Sequence, residues 1–345
     1  MPKGYFFIIT PFQYLSALEA RNHFKKELNK VFLFVLHTKL SSRQLHSIID
    51  ENLWDNVIYT KDLKVNWPIK FINLLFKILQ IFKRRYYLLH NIGKIKKNDY
   101  LFIGNLNVQW LRWIVWKGKM EKIIILDDGF SILNALSYIN NSKHKLTSKD
   151  NLLIWLEEIV FPTKKLELNK VILFSIFNKI DTTSAKIIYN NLSYIKEKFG
   201  HKNYENYEIV YFIGQPFVAL NLIPKIKYIS IINCIKTFYE NKGIEFKYCI
   251  HRTENILDYP SSWDILSFDY PIEVQLLCQE KLPKSVISFY SSALISIKVL
   301  FQNIIQIIAI KLPEDLSDKD SDIVYDYFRL ELSSSFSIKD YLEFI

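Results

Sequence analysis

Glycine is scarce in this chain, eight residues in 345, and the scarcity narrows its chemistry before any motif is read. Neither glycine-rich phosphate cradle, G-x-x-x-x-G-K-[ST] or G-x-G-x-x-G, occurs, and H-E-x-x-H and G-x-S-x-G are missing as well. Cysteine is nearly as sparse: Cys234, Cys249 and Cys278 have no metal-ligand spacing, and three cannot all pair within one chain. They suit a reducing cytoplasm. No run reaches the roughly 18 uncharged apolar residues that a membrane span needs. The start, Met1-Pro2-Lys3-Gly4, passes straight into a strand-like segment with no secretory h-region. A cytoplasmic protein is expected.

What the chain does hold is apolar and aromatic mass, 50% and 15% of its residues, which excludes disorder and allows ample burial. A length of 345 residues fits two domains of roughly 150 each. The 45 basic and 35 acidic residues leave a formal net charge of +10, which favours anionic partners. Nothing gathers that charge into an RRM, a helix-turn-helix or a zinc module, so no nucleic-acid partner is expected. From Pro68 to Tyr87, Ile, Phe and Leu alternate with Lys70, Lys77, Lys83, Arg84 and Arg85. This reads as a basic amphipathic helix, either packed on a core with its charges solvated or lying on a membrane surface.

The order of elements is regular. Tyr5–Ile9 is a short apolar run ending at Thr10-Pro11-Phe12-Gln13, a T-x-x-Q capping box with proline at the first helical position, so a helix runs from there towards Phe24. Strands at Val31–Leu36, Val57–Tyr59, Tyr100–Ile103 and Lys122–Leu126 alternate with helices near Ser42–Asn52, Val108–Trp116 and Ser131–Ser137. The segment from Asn140 to Glu205 is less regular and suits a hinge or an acceptor-binding elaboration. A second series opens with strand Glu208–Ile213, then helix Ile226–Asn241, strands Glu245–Ile250 and Ile265–Phe268, and helix Ile272–Glu280. Strand Ser285–Phe289, a helix from Ser291, a strand near Ile304–Ile310 and a helical tail after Ser321 complete it. Such alternation predicts parallel βαβ units, an α/β fold of two Rossmann-like domains over residues 1–200 and 201–345, facing across a cleft. Chemistry then belongs at the C-terminal ends of strands.

Asp127-Asp128-Gly129 follows the apolar run Ile123–Leu126. Two adjacent carboxylates at a strand end raise at least one pKa towards working pH, which suits a general base; an Asx-turn capping the next helix is the other reading. His251, followed by Arg252, closes Phe246–Ile250 and could donate to a phosphate or simply cap the strand. Ser291-Ser292 starts a helix, where hydroxyls and free N–H groups bind anions, though serine is equally an ordinary N-cap. Glu273 sits in a helix's first turn, either as a dipole-favoured acid or as an acceptor for ribose hydroxyls.

Together these segments resemble the bacterial sialyltransferase-like glycosyltransferases: the lipooligosaccharide sialyltransferases of a family-52 type and, more distantly, the capsule polysialyltransferases. The resemblance rests on Thr10-Pro11-Phe12-Gln13, Asp127-Asp128-Gly129, Gly214-Gln215-Pro216, His251, Pro271-Ile272-Glu273 and Ser291-Ser292, in that order over nearly the whole chain. It implies a GT-B fold and an inverting, metal-independent transfer of sialic acid from a CMP-activated donor to a surface glycan or glycolipid. No D-x-D closes a strand, which also argues against a metal-dependent GT-A enzyme. By this resemblance the first domain is acceptor-side and carries the base, Asp127 in preference to Asp128. The second holds the nucleotide sugar, with His251, Ser291 and Ser292 on the phosphate, Glu273 on ribose or cytosine, and Gly214, Gln215 and Arg252 lining the site. The family's HP motif has Arg252 in place of its proline, which adds a bidentate anion partner and leaves the donor open. A UDP-type hexosyl donor on the same scaffold and a non-catalytic glycan- or polyanion-binding module are the alternatives. Work on a glycolipid would place the protein on the inner face of the cytoplasmic membrane.

Overall fold

The computed structural model describes the chain except for residues 38–41, 62–77, 80–81, 84–85, 87–89, 91–94, 105–108, 119, 121, 135–158, 163–169, 180–184, 202, 317–318 and 345. The predicted helix at 68–87 therefore lies almost wholly outside the described residues, as does much of the irregular middle. Two compact units result: Met1–Leu45 with Ile49–Asn190, and His46–Ile48 with Asn191–Ile345. The change of unit comes ahead of residue 200, because the short helix Ser193–Phe199 packs on helix Ile272–Leu277 of the second unit.

The first unit is built on β1 (Lys3–Ile8), β2 (Lys30–His37), β3 (Asn56–Lys61), β4 (Tyr100–Ile103), β5 (Lys122–Leu126), β6 (Val171–Ser175) and β7 (Lys186–Tyr189). They pair in parallel in the order β3-β2-β1-β4-β5-β6-β7. The second unit carries β8 (Glu205–Ile213), β9 (Glu245–Cys249), β10 (Ile265–Leu266), β11 (Lys281–Ser288), β12 (Gln306–Lys311) and β13 (Phe336–Asp340), parallel in the order β10-β9-β8-β11-β12-β13. Parallel sheets are covered on both faces, which is why their inner strands read as unbroken apolar runs. Ile123, Ile124, Ile125 and Leu126 are all buried. In each unit the first strand lies inside the sheet, and the order reverses between β1 and β4 and between β8 and β11. Open α/β sheets bind ligands at that reversal, beyond the strands' C-terminal ends.

The expected capping box forms with one change. Helix α1 (Pro11–His23) is capped by Thr10, whose Oγ1 accepts from the Gln13 N–H at 3.2 Å. The Gln13 side chain reaches one residue further back and accepts from the Ile9 N–H at 2.6 Å. Helix α2 is shorter than predicted, Ser42–Ile48, with a separate 3₁₀ turn at Glu51–Leu53. Next come α3 (Gln109–Gly118), α4 (Ser193–Phe199), α5 (Lys225–Glu240), α6 (Ile272–Leu277), α7 (Ala293–Phe301) and α8 (Lys319–Leu330). In place of the helix expected at Ser131–Ser137, the described part is a 3₁₀ turn over Ser131–Asn134. β6, β7 and β13 were not expected from the sequence.

Aromatic rings fill both cores. Phe6 stacks on Phe102 at 3.9 Å between β1 and β4, with the edge of Trp54 on Phe6 at 5.0 Å. In the second unit Phe212, Tyr248 and Phe289 meet Tyr228 of α5, and all four are fully buried. Burying such a side chain stabilises by about 1.5–3 kcal/mol.

Candidate active site

In the first unit the site grows from the ends of β1, β5 and β6. Gly129 has a φ of 62°, a left-handed conformation that turns the chain sharply after the two acids. Asp127 is wholly buried. Its Oδ1 accepts from Ser175 Oγ at 2.6 Å, its Oδ2 from the Ile176 N–H at 2.8 Å, and its own N–H donates to Ser16 Oγ at 3.2 Å. Burial pushes its carboxyl up to about 7; the Asp128 charge adds to this, and bonds from Ser175, Ile176 and Asn190 oppose it. Both of its oxygens are thus engaged inside the protein. Asp128 is only partly buried, and its Oδ1 accepts from Thr10 Oγ1 at 3.2 Å. The hydroxyl that caps α1 therefore also orients Asp128. Of the two acids, only Asp128 reaches solvent.

In the second unit the loops after β8, β9 and β11 converge. His251 lies two residues past the end of β9 rather than closing it. Its Nδ1 lies 2.8 Å from Thr253 Oγ1 and 3.3 Å from the Thr253 backbone N–H, an arrangement that fits a ring proton on Nε2. Burial, and then the Arg252 charge, push this imidazole down to about 4, so near pH 7 it is neutral and acts as a hydrogen-bond donor rather than a cation. Gly214 and Gln215 follow β8. A Cβ on Gly214 would lie 2.5 Å from Tyr248 Oη and 2.7 Å from Glu254 Oε2, so any larger residue would displace one of them. Gln215 Oε1 accepts from Ser288 Oγ at 3.5 Å, and the Phe217 and Tyr290 rings stand 5.1 Å apart, joining the β8 loop to the β11 loop.

Ser291 and Ser292 follow at the start of α7. Ser291 Oγ accepts from the Ala293 N–H at 3.3 Å, whereas the Ser292 side chain makes no capping bond. Glu273 is 5% exposed, and its Oε1 accepts from Ser296 Oγ at 2.6 Å, tying α6 to α7. Burial raises its pKa against that bond, and the Arg252 charge lowers it. Arg252 is exposed, and its charge bears on both His251 and Glu273. Among the described residues, no group of three His, Cys, Asp or Glu side chains gathers where it could hold a metal ion.

Several participants escaped the sequence reading. Ser175 ends β6 and Asn190 follows β7, two strands with no clear signal in the sequence. Glu254, which receives the His251 N–H at 2.7 Å, had only its spacing of three residues from His251 to mark it.

The family model described as Glycosyltransferase family 52 matches residues 43–314, including both acids, His251 and Ser291-Ser292. The chain belongs to glycosyltransferase family 52. The family-52 enzyme is therefore a glycosyltransferase, working with a nucleotide-sugar donor and a glycan acceptor. Among solved structures it is similar to Arabidopsis thaliana UGT89C1 complexed with UDP-L-rhamnose, with a TM-score of 0.51 and 9% identity over 99% of this chain and 86% of that one. It is also similar to the glycotransferase of kitacinnamycin, with a TM-score of 0.50 and 10% identity over 99% and 87% of the two chains. At such identities the likeness speaks for the fold, and the fold is the α/β GT-B type. No curated protein matches the chain by sequence.

Proposed function

We propose that this glycosyltransferase moves sialic acid, or a related nonulosonic acid, from a CMP-activated donor to a hydroxyl of a lipooligosaccharide or capsule glycan, with inversion and without a metal ion. The observation that carries the reading is the division between the two acids: Asp127 buried with both oxygens engaged, Asp128 partly exposed and oriented by Thr10. Asp128 takes the proton of the acceptor hydroxyl. The acceptor oxygen forms its bond to the anomeric carbon as the bond from that carbon to the phosphate oxygen breaks, and CMP leaves with the electron pair. His251 Nε2–H donates to the departing phosphate, as do the Ser291 and Ser292 hydroxyls at the start of α7. Arg252 adds a guanidinium for the anionic groups of the donor. Gly214 and Gln215 shape the floor of this site, and Glu273 acts through Ser296 by holding α7 in place.

Transfer from CMP-sialic acid tests the assignment. Asp128→Asn is expected to lose about a hundredfold or more in rate, the scale of general-base catalysis. Folded Asp128→Ala and His251→Ala proteins that both keep the wild-type rate would overturn it. A lipooligosaccharide acceptor would call for work at the inner face of the cytoplasmic membrane, for which the basic amphipathic sequence of Pro68–Tyr87 is the proposed contact. Among the described residues no helix is long and apolar enough to cross a membrane.

A hexosyl transfer from a UDP donor is the second reading. It is favoured by Arg252 at the proline position and by UDP-L-rhamnose in the UGT89C1 structure. A thermal-shift comparison of CMP, UDP and GDP separates the two, because a ligand that binds only the native state raises the unfolding midpoint. A midpoint raised by CMP and not by UDP supports the first reading.

A further inference from the structure

Beneath His251, a carboxylate and three tyrosine hydroxyls form one hydrogen-bonded chain. Glu254 Oε2 accepts from the His251 N–H at 2.7 Å, and its Oε1 accepts from Tyr248 at 3.0 Å and from Tyr259. Tyr248 Oη lies 3.0 Å from Tyr228 Oη, which in turn accepts from the Gln215 N–H at 3.4 Å. Tyr228 and Tyr248 are wholly buried. The proton order follows from the ends. Gln215 N–H can only donate and an ionised Glu254 can only accept, so Tyr228 donates to Tyr248 and Tyr248 to Glu254. Every bond then runs towards the carboxylate and polarises the next. The chain joins the loop after β8 to the loop after β9, and the missing Cβ of Gly214 is what lets Glu254 and Tyr248 stand so close to it.

A free carboxylate this near an anion site would repel the ligand. Here its oxygens are occupied by inward donors, and its remaining task is the main chain of residue 251.

We propose that Glu254 is a positioning residue for the donor phosphate, fixing the 251–254 turn against the Gly214-Gln215 loop so that the His251 Nε2–H faces the ligand. This deepens the proposed function and rests on its reading of His251 as a phosphate donor. Glu254 touches no reacting atom; its effect passes through the histidine.

Two measurements on the full chain test it: CMP affinity by calorimetry, and the ¹⁵N shifts of the His251 ring without ligand. Glu254→Ala is expected to weaken CMP binding by about tenfold or more, the loss of roughly one charge-assisted hydrogen bond. It is also expected to replace the single Nε2–H tautomer by a mixture. Glu254→Gln can still accept from the His251 N–H, but its amide faces two hydroxyls that donate to the carboxylate and leaves one buried hydroxyl proton without an acceptor, so its loss should fall between the wild type and Glu254→Ala. The double variant Glu254→Ala/His251→Ala should be no weaker than His251→Ala alone, because residues acting as one unit are not additive. If the alanine variant does not fold, Glu254→Asp, which withdraws the charge by one methylene, should show the same loss. Losses that add, or CMP affinity unchanged in Glu254→Ala while His251→Ala loses it, overturn the proposal. A wild-type protein that binds no CMP sinks the phosphate reading instead. The tautomer then decides Glu254, and a single Nε2–H form persisting in Glu254→Ala counts against it.

Discussion

Between Asp127 and Asp128 one peptide bond separates a carboxyl with no solvent exposure from one that is partly open, and the two should titrate and mutate differently. The folded pKa of Asp127, about 7, lies above its unfolded value of 3.8. Folding therefore favours the protonated form, and the stability this contributes, complete below the unfolded value, is lost as pH rises through about 7. Asp127→Asn removes that dependence. Its melting temperature relative to wild type should rise between about pH 5 and about pH 8, and a difference that stays flat would show the carboxyl is not shifted. His251 runs the opposite way, with its folded pKa of about 4 below the usual 6.5. Its contribution is complete above the unfolded value and lost as pH falls through about 4. Wild type should therefore lose stability on acidification more steeply than His251→Asn, as read from denaturant midpoints across that range.

At the scale of elements, Gly214 shows how closely the loops after β8 and β9 are fitted. A methyl there would meet Tyr248 Oη at 2.5 Å and Glu254 Oε2 at 2.7 Å, so one of the two side chains would have to move. Gly214→Ala is expected to cost about 1–3 kcal/mol by overpacking and to weaken CMP binding. Unchanged stability by chemical denaturation would mean the two loops separate easily. The inner strands were legible in the sequence because both faces of a parallel sheet demand apolar residues: β4 and β5 have the residue limits read for them. The missed strands were mostly marginal ones. β7 and β13 are sheet edges, and the pattern of β7 is exposed at both ends. Edge strands carry charge and lack a continuous apolar run, so Phe336-Ser337-Ile338-Lys339-Asp340 gives no strand signal until β12 lies beside it.

For the whole molecule, each unit has its own sheet and its own aromatic core, and the candidate nucleotide residues lie together in the second. CMP should therefore slow amide hydrogen exchange most in the loops at 213–216, 250–254 and 288–293. Slowing confined to the first unit's strands would move the donor site. The order of short motifs in the chain made family-52 membership and the GT-B fold readable, since strand–helix alternation and motif order are properties of a line of residues. Side-chain burial is not. It took β6, beside β5, to bring Ser175 and Ile176 onto Asp127 and so separate the surroundings of two identical neighbouring residues. Likewise Glu254 could be linked to Gly214, Tyr228 and Tyr259 only by folding, because hydrogen bonds form between atoms near in space and these residues come from different elements. The sequence alone determined the type of fold, its family and the candidate chemistry; the tertiary structure decided which carboxyl meets solvent and which groups bond to the 251–254 turn, because both depend on contacts between residues distant in the chain.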